Sequence, residues 1–276
     1  MVDGLVVVDK AAGWTSHDVV AKCRGIFGQK RIGHSGTLDP DATGVLLVGL
    51  GRVTRLLRFL TALPKSYTGE VVFGVATSTL DASGEVVERF DMAVTADEVQ
   101  AAAAGLTGDI EQVPPMVSAV KVGGQRLHKL ARAGTEVERP PRPVTVTRFD
   151  VEPTDDPLVY RIEVDCSSGT YVRTLAADLG AALGGGAHLR NLRRTAIGSF
   201  TVADAHALEG LGPELVLPPA EALRDYPAVT LSAEQVADVT HGRRIALDRI
   251  DTVRLLDADG RLVAVAEAGR PTVVLG

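Results

Sequence analysis

The chain has 276 residues, 45% of them hydrophobic and 23% charged, enough for a real core in one large domain or two unequal ones. Its net charge of −6 argues mildly against a nucleic-acid partner, because phosphate binding usually leaves a basic footprint. Apolar runs such as Val45–Leu50 are far below the roughly 18 residues of a membrane span, the acidic N-terminus is unlike a secretory signal, and Cys23 and Cys166 lack metal or disulfide spacing, so a cytoplasmic, reduced protein is expected.

In chain order, "GLVVVDK" reads as a buried strand, and Ser16 as the N-cap of a helix with Val19, Val20, Cys23, Ile26 and Phe27 on its apolar face. "ATGVLLVGLG" is a second buried strand and "VTRLLRFL" a short helix. "KSYTGEVVFGVAT" and "GEVVERF" read as strands around a turn-rich "STLDASG", and Thr95 with Glu98 forms a capping box for the next helix. "QVPPMVSAVKVGGQRLHKLARAG" suggests an extended piece, a glycine hairpin and a basic helix. "VTVTRFDVE" and "LVYRIEVDCSS" alternate as an antiparallel pair. "TYVRTLAADLGAALGGG" is a helix capped by Thr170 and stopped by glycines. The Pro-rich passage over 212–227 is the best domain boundary, followed by a short helix and a hairpin around Asp259-Gly260. The fold class expected is α+β, a mixed, largely antiparallel sheet flanked by helices.

Basic residues gather at Arg52, Arg55 and Arg58, at Arg126, His128, Lys129 and Arg132, and at His188, Arg190, Arg193 and Arg194. Any one group can be a plain solvated face; three in an acidic chain point toward an anionic partner.

"GHSGTLDPDATGVLLVG", Gly33 to Gly49, places a His, two Asp and a Pro on a glycine-hinged turn that enters an apolar strand. Its spacing fits neither a P-loop nor a dinucleotide fingerprint, and His34, Asp39 and Asp41 are too scattered for a metal site. On physical grounds alone, a simple turn at Asp39-Pro40 explains it equally well.

The stretch resembles the signature of the TruB family of bacterial tRNA pseudouridine(55) synthases. The resemblance continues in "KSYTGEVVFGVATSTLDASGEV", "GDIEQVPPMVSAVKVGGQRLHKLARAG", "CSSGTYVRTLAADLGAALGGGAHLRNLRRTAIGSF" and "LPPAEAL", in register over roughly residues 5–225. It implies a pseudouridine-synthase core over 1–225 and a small PUA-like β-barrel for RNA binding over 226–276. It also implies isomerisation of uridine 55 in the T-loop of elongator tRNAs, with base flipping and no cofactor or metal. Asp39 matches the family's catalytic aspartate and Arg173 its cationic partner. Tyr67 matches the tyrosine that stacks on the flipped base, with Tyr171 beside the site. Leu192 matches the apolar residue closing the pocket, and His34 the histidine that enters the T-loop. Arg55 stands where the family carries a Lys, suited to a phosphate contact; Ser35 replaces the usual Thr, and Asp41 a commoner apolar residue. Without the resemblance, Tyr67 reads as a strand aromatic and Arg173 as an exposed helix residue.

A non-catalytic RNA-binding module would need Tyr67 and the basic groups but not Asp39. A guide-RNA-dependent synthase would share the chemistry. The compact chain favours a stand-alone enzyme acting on the T-loop and T-arm of tRNA, with no guide RNA, obligate protein partner or membrane expected.

Overall fold

The computed structural model describes residues 2–118, 121–122, 125–126, 137–243, 245 and 251–275. In chain order the first elements are β1 (Gly4–Lys10), α1 (Ser16–Ile26), β2 (Ile32–Ser35), β3 (Thr43–Leu50) and α2 (Leu57–Ala62). Next come β4 (Lys65–Phe73), β5 (Val75–Thr77), β6 (Val86–Arg89), α3 (Ala96–Gly105), β7 (Gly108–Gln112), β8 (Lys121–Val122) and β9 (Gln125–Arg126). β10 (Arg142–Pro153), β11 (Val159–Cys166), α4 (Val172–Ala182), β12 (Ala187–Ile197) and β13 (Phe200–Thr201) follow. The last are β14 (Ala228–Thr230), α5 (Ala233–Thr240), β15 (Val253–Leu256), β16 (Leu262–Glu267) and β17 (Arg270–Val274). These form two compact units, one of Met1–Pro40, Gly44–Leu63 and Ala196–Gly276, the other of Asp41–Thr43 and Pro64–Thr195.

In the first unit, β1 and β2 both pair antiparallel with β3. Side chains alternate across a strand, so Val6, Val8, Leu46 and Val48 meet α1 through Val19, Val20 and Cys23, while Leu5, Val7, Val45 and Leu47 join a second core. Burial on both faces explains why these strands read as unbroken apolar runs. Thr15, rather than Ser16, caps α1: its hydroxyl accepts from the Asp18 N–H while the Asp18 carboxylate accepts from the Thr15 N–H. Gly33 and Gly49 pair across β2 and β3, and a Cβ at either would come within 3.0 Å of Leu57. Their missing side chains make room for α2.

The C-terminal strands form an open four-stranded sheet, β14-β15-β16-β17, parallel at β14–β15 and antiparallel elsewhere. A closed barrel is not seen among the described residues. Beyond the passage over 212–227, Leu231, Val239, Val253, Leu255, Val263 and Ala264 form a core of their own, while Leu262, Val265, Val273 and Leu275 join a second core with Leu56, Phe59, Leu60, Ala222 and Leu223. The cluster at Arg52, Arg55 and Arg58 serves the same contact. Arg52 donates to the Leu275 carbonyl, Arg55 Nη1 to Val274 O at 2.6 Å, and Arg58 to Glu267 and Thr272.

In the second unit the strand order is β12-β4-β11-β10-β7. The β4–β11, β11–β10 and β10–β7 pairs are antiparallel, as the alternation in "VTVTRFDVE" and "LVYRIEVDCSS" predicts. Tyr67, Val71 and Phe73 of β4 and Ile162, Val164 and Cys166 of β11 are buried, and α3 packs against β10 and α4. Lys121–Val122 pairs with Gln125–Arg126 as a glycine hairpin would. The expected basic helix beyond it lies outside the described residues. No described helix is long and apolar enough to cross a membrane.

Candidate active site

Asp39 is half-buried on the irregular segment between β2 and β3. Positive φ at Gly36 (78°) and Gly44 (100°) lets the chain leave β2 and enter β3 without the steric cost a side chain would bring. With no ladder to satisfy its backbone, the segment is held by side chains from residues 10–16. The Ser16 hydroxyl bonds Leu38 at both N and O. Lys10, fully buried, directs Nζ to the carbonyls of Ala11 (3.0 Å), Trp14 (2.7 Å) and Pro40 (2.8 Å), and Gly13 N also donates to Pro40 O. Three carbonyls match the three donors of an ammonium group, which lets the charge be carried inside. His34 lies on β2, its ring edge-on to that of His17 with centroids 5.3 Å apart.

In the second unit, Tyr171 and Arg173 stand at the start of α4. Tyr171 occupies the N-cap without a side-chain cap bond, and Thr170 instead donates to Ser167 O. Gln112, 1% exposed, makes up for this: its Oε1 accepts from Tyr171 N at 2.9 Å and its Nε2 donates to Tyr171 O at 3.3 Å. Arg173 is buried; Nη1 donates to Thr79 O and Nη2 to Val117 O, and Nη1 lies 3.4 Å from Asp81 Oδ2. The other Asp81 oxygen accepts from Thr79 Oγ1 and from the N–H and hydroxyl of Ser83. A guanidinium gripped on several sides has its plane fixed as well as its charge.

Tyr67 lies on β4 opposite Val164, 8% exposed. Leu192 follows Asn191, which takes a φ of 53° within β12, and Glu70 Oε2 accepts from both Arg190 Nε and Asn191 Nδ2 there. Gly69 fits beneath: a Cβ on it would be 3.4 Å from Arg190 O and 3.6 Å from Leu192 Cα. Lys65, at the start of the same strand, is buried; desolvation first, then the nearby Arg194 charge, pushes its pKa down to about 8.

The first unit thus carries Asp39 and His34 on one hairpin, and the second carries Tyr67, Tyr171, Arg173 and Leu192. Arg55 sits instead against the C-terminal strand. Sequence reading missed Lys10, Ser16, Asp81 and Gln112. Asp81 lay inside the turn-rich block "STLDASG", where its Ser and Thr neighbours suggested only a turn; Gln112 left no local signal.

Two family descriptions match the chain: TruB family pseudouridylate synthase (N terminal domain) over residues 24–172, and tRNA pseudouridylate synthase B C-terminal domain over 173–225. The tRNA pseudouridine synthase B of Mycobacteroides abscessus is 49% identical over 279 residues, spanning 98% of this chain and 94% of that protein. That of Thermobifida fusca is 49% identical over 290 residues, spanning 99% of each. Among solved structures, a Cbf5-Nop10-Gar1 complex superposes with a TM-score of 0.75 at 28% identity, covering 98% of this chain and 79% of that one. An H/ACA RNP bound to a substrate RNA containing 2′-deoxyuridine gives 0.74 at 25%, with the same shares covered. The chain belongs to the TruB family of pseudouridylate synthases.

Proposed function

We propose that this chain isomerises uridine 55 to pseudouridine in the T-loop of elongator tRNAs, in the cytoplasm and without a cofactor. The observation that carries the reading is the intact "GTLDP" at 36–40, held on both flanks of Asp39 by buried side chains. The reaction breaks the N1–C1′ bond, turns the uracil and joins C5 to C1′. N1 gains a proton and the C5 proton leaves to solvent, so product and substrate are isomers and no external redox partner is needed.

Asp39 supplies the carboxylate beside the sugar–base junction, and a fixed loop keeps that group aimed without reorganisation during reaction. Arg173 supplies the cation that keeps a desolvated carboxylate ionised. A uridine inside a folded loop must leave the stack before its C1′ can be reached. Tyr67 offers the flipped ring an aromatic face, Tyr171 lies beside it, Leu192 closes over it, and His34 takes the space it vacates. Arg55 and residues 226–276 contribute RNA contacts away from the chemistry.

A second reading, catalysis directed by a guide RNA, is suggested by the likeness to H/ACA assemblies. The stand-alone reading is favoured because the tRNA pseudouridine synthase B relatives match at 49% identity over nearly their whole length, against 28% for the Cbf5 complex. The test uses the purified chain alone with C5-tritiated tRNA transcript and with a transcript carrying cytidine at position 55. Stoichiometric tritium release from the first and none from the second is expected. Release only after a guide RNA is added would establish the second reading, and release under neither condition would sink both.

A further inference from the structure

We propose that Ser16 is a positioning residue for Asp39, acting through the backbone of Leu38; this rests on the reading of Asp39 as the reacting carboxylate. Ser16 opens α1 and is 1% exposed, yet its hydroxyl is not used by the helix, because Thr15 already provides the cap. Instead, Ser16 Oγ accepts from Leu38 N at 2.9 Å and donates to Leu38 O at 3.2 Å. A hydroxyl has one proton to give and lone pairs to spare, so one side chain satisfies both polar groups of one residue.

The consequence falls on the next residue. Leu38 O belongs to the same planar peptide unit as Asp39 N, so holding that oxygen holds the plane from which the Asp39 Cα departs. On the far side, Pro40 has its own φ locked by its ring, and its carbonyl is held by Lys10 Nζ and Gly13 N. Leu38 and Ala42 are themselves buried, which anchors the segment by packing as well. Asp39 is the residue between two fixed points, and Ser16 sets the upstream one. Loss of the hydroxyl leaves the fold's cores intact but releases the plane that aims the carboxylate.

The test uses the full chain with Ser16→Ala, Ser16→Cys and Ser16→Thr, measuring single-turnover rate at saturating tRNA, tRNA affinity, melting temperature and hydrogen exchange at the Leu38 amide. Ser16→Ala and Ser16→Cys are expected to slow the chemical step about 100-fold, the scale of a misplacement of roughly 1 Å. Affinity should stay within about threefold of wild type, since phosphate contacts set it. The Leu38 amide should exchange faster in both, and Ser16→Thr, which keeps the hydroxyl, should recover most of the rate. An unchanged rate in folded Ser16→Ala overturns the proposal. So do parallel losses of rate, affinity and melting temperature with no recovery in Ser16→Thr, which would mark a structural role only. If Ser16→Ala does not fold, the nearly isosteric Ser16→Cys is judged by the same criteria. Asp39→Asn is assayed alongside: turnover by that variant would refute the reading of Asp39 itself, whereas an inactive Asp39→Asn beside an unimpaired Ser16→Ala would remove only Ser16.

Discussion

Arg173 Nη1 lies 3.4 Å from Asp81 Oδ2, and the two side chains are only 6% and 20% exposed. The guanidinium also donates to the carbonyls of Thr79 and Val117, so its orientation is set by groups from two separate segments. The two carbonyls are reached by two different nitrogens of one planar fork, Nη1 and Nη2, a span that a single ammonium nitrogen does not reproduce, which makes the position an arginine position.

Asp81→Asn should therefore impair turnover while leaving the loop folded. The amide oxygen can still accept from Thr79 and Ser83, but the charge facing Arg173 is gone. We expect kcat to fall by about tenfold to 100-fold with tRNA affinity little changed, the pattern of a lost aiming contact. Steady-state kinetics checks this; a wild-type kcat would show that Arg173 is aimed without Asp81.

Tyr67→Phe keeps the ring and should keep most of the activity and affinity. Tyr67→Leu removes the π-face, and base–aromatic stacking is worth about 1–3 kcal/mol, so a loss of roughly 10- to 100-fold in kcat/KM is expected. If both variants behave alike and nearly normally, the stacking role is wrong.

Truncation after Asp225 tests what the C-terminal strands do. It removes Leu262, Val265, Val273 and Leu275 from a core shared with Leu56, Phe59 and Leu60. Each large apolar side chain taken from water is worth about 1.5–3 kcal/mol, so the shortened chain should melt well below the full one. Activity should fall on both substrates, and further on full-length tRNA than on an isolated T-arm, which makes none of the outlying contacts. An unchanged melting temperature, with loss confined to full-length tRNA, would instead mark residues 226–276 as an independent RNA-binding module.

How much of this was readable from sequence depended on how local each cause was. β1 and β3 were legible because burial on both faces leaves an unbroken apolar run. The helix at Val172–Ala182 was legible from its apolar spacing, although its cap was not, since Gln112 reaches Tyr171 from another strand. Arg52, Arg55 and Arg58 show the limit of charge clusters: the sequence displays the cations but not the C-terminal acceptors they meet, the carbonyls of Leu275 and Val274 and the side chains of Glu267 and Thr272. Asp39 stood out through its motif. Its supports did not, because Ser16 and Lys10 matter only once the fold brings chain positions 22 and 30 residues away to meet them.

Lys65 provides a pH test. Its folded pKa is pushed down to about 8 from 10.5, mainly by burial. Below about 8 the group is charged in both folded and unfolded chains, and the full cost of burying that charge is present. Between about 8 and 10.5 the unfolded chain binds the proton more strongly, so this group's contribution to stability rises with pH. The melting temperature of Lys65→Met, measured against wild type, should lose ground across that window. A constant difference between the two would contradict the assignment.

The most direct measurement of the central claim is tritium release from C5-labelled tRNA by wild type and by Asp39→Asn, with tRNA affinity measured on the same preparations. The substitution is nearly isosteric and removes only the ionisable carboxylate, while the phosphate contacts that dominate affinity are left in place. The account predicts no detectable release by Asp39→Asn and an affinity within a few-fold of wild type. Release at close to the wild-type rate would contradict it.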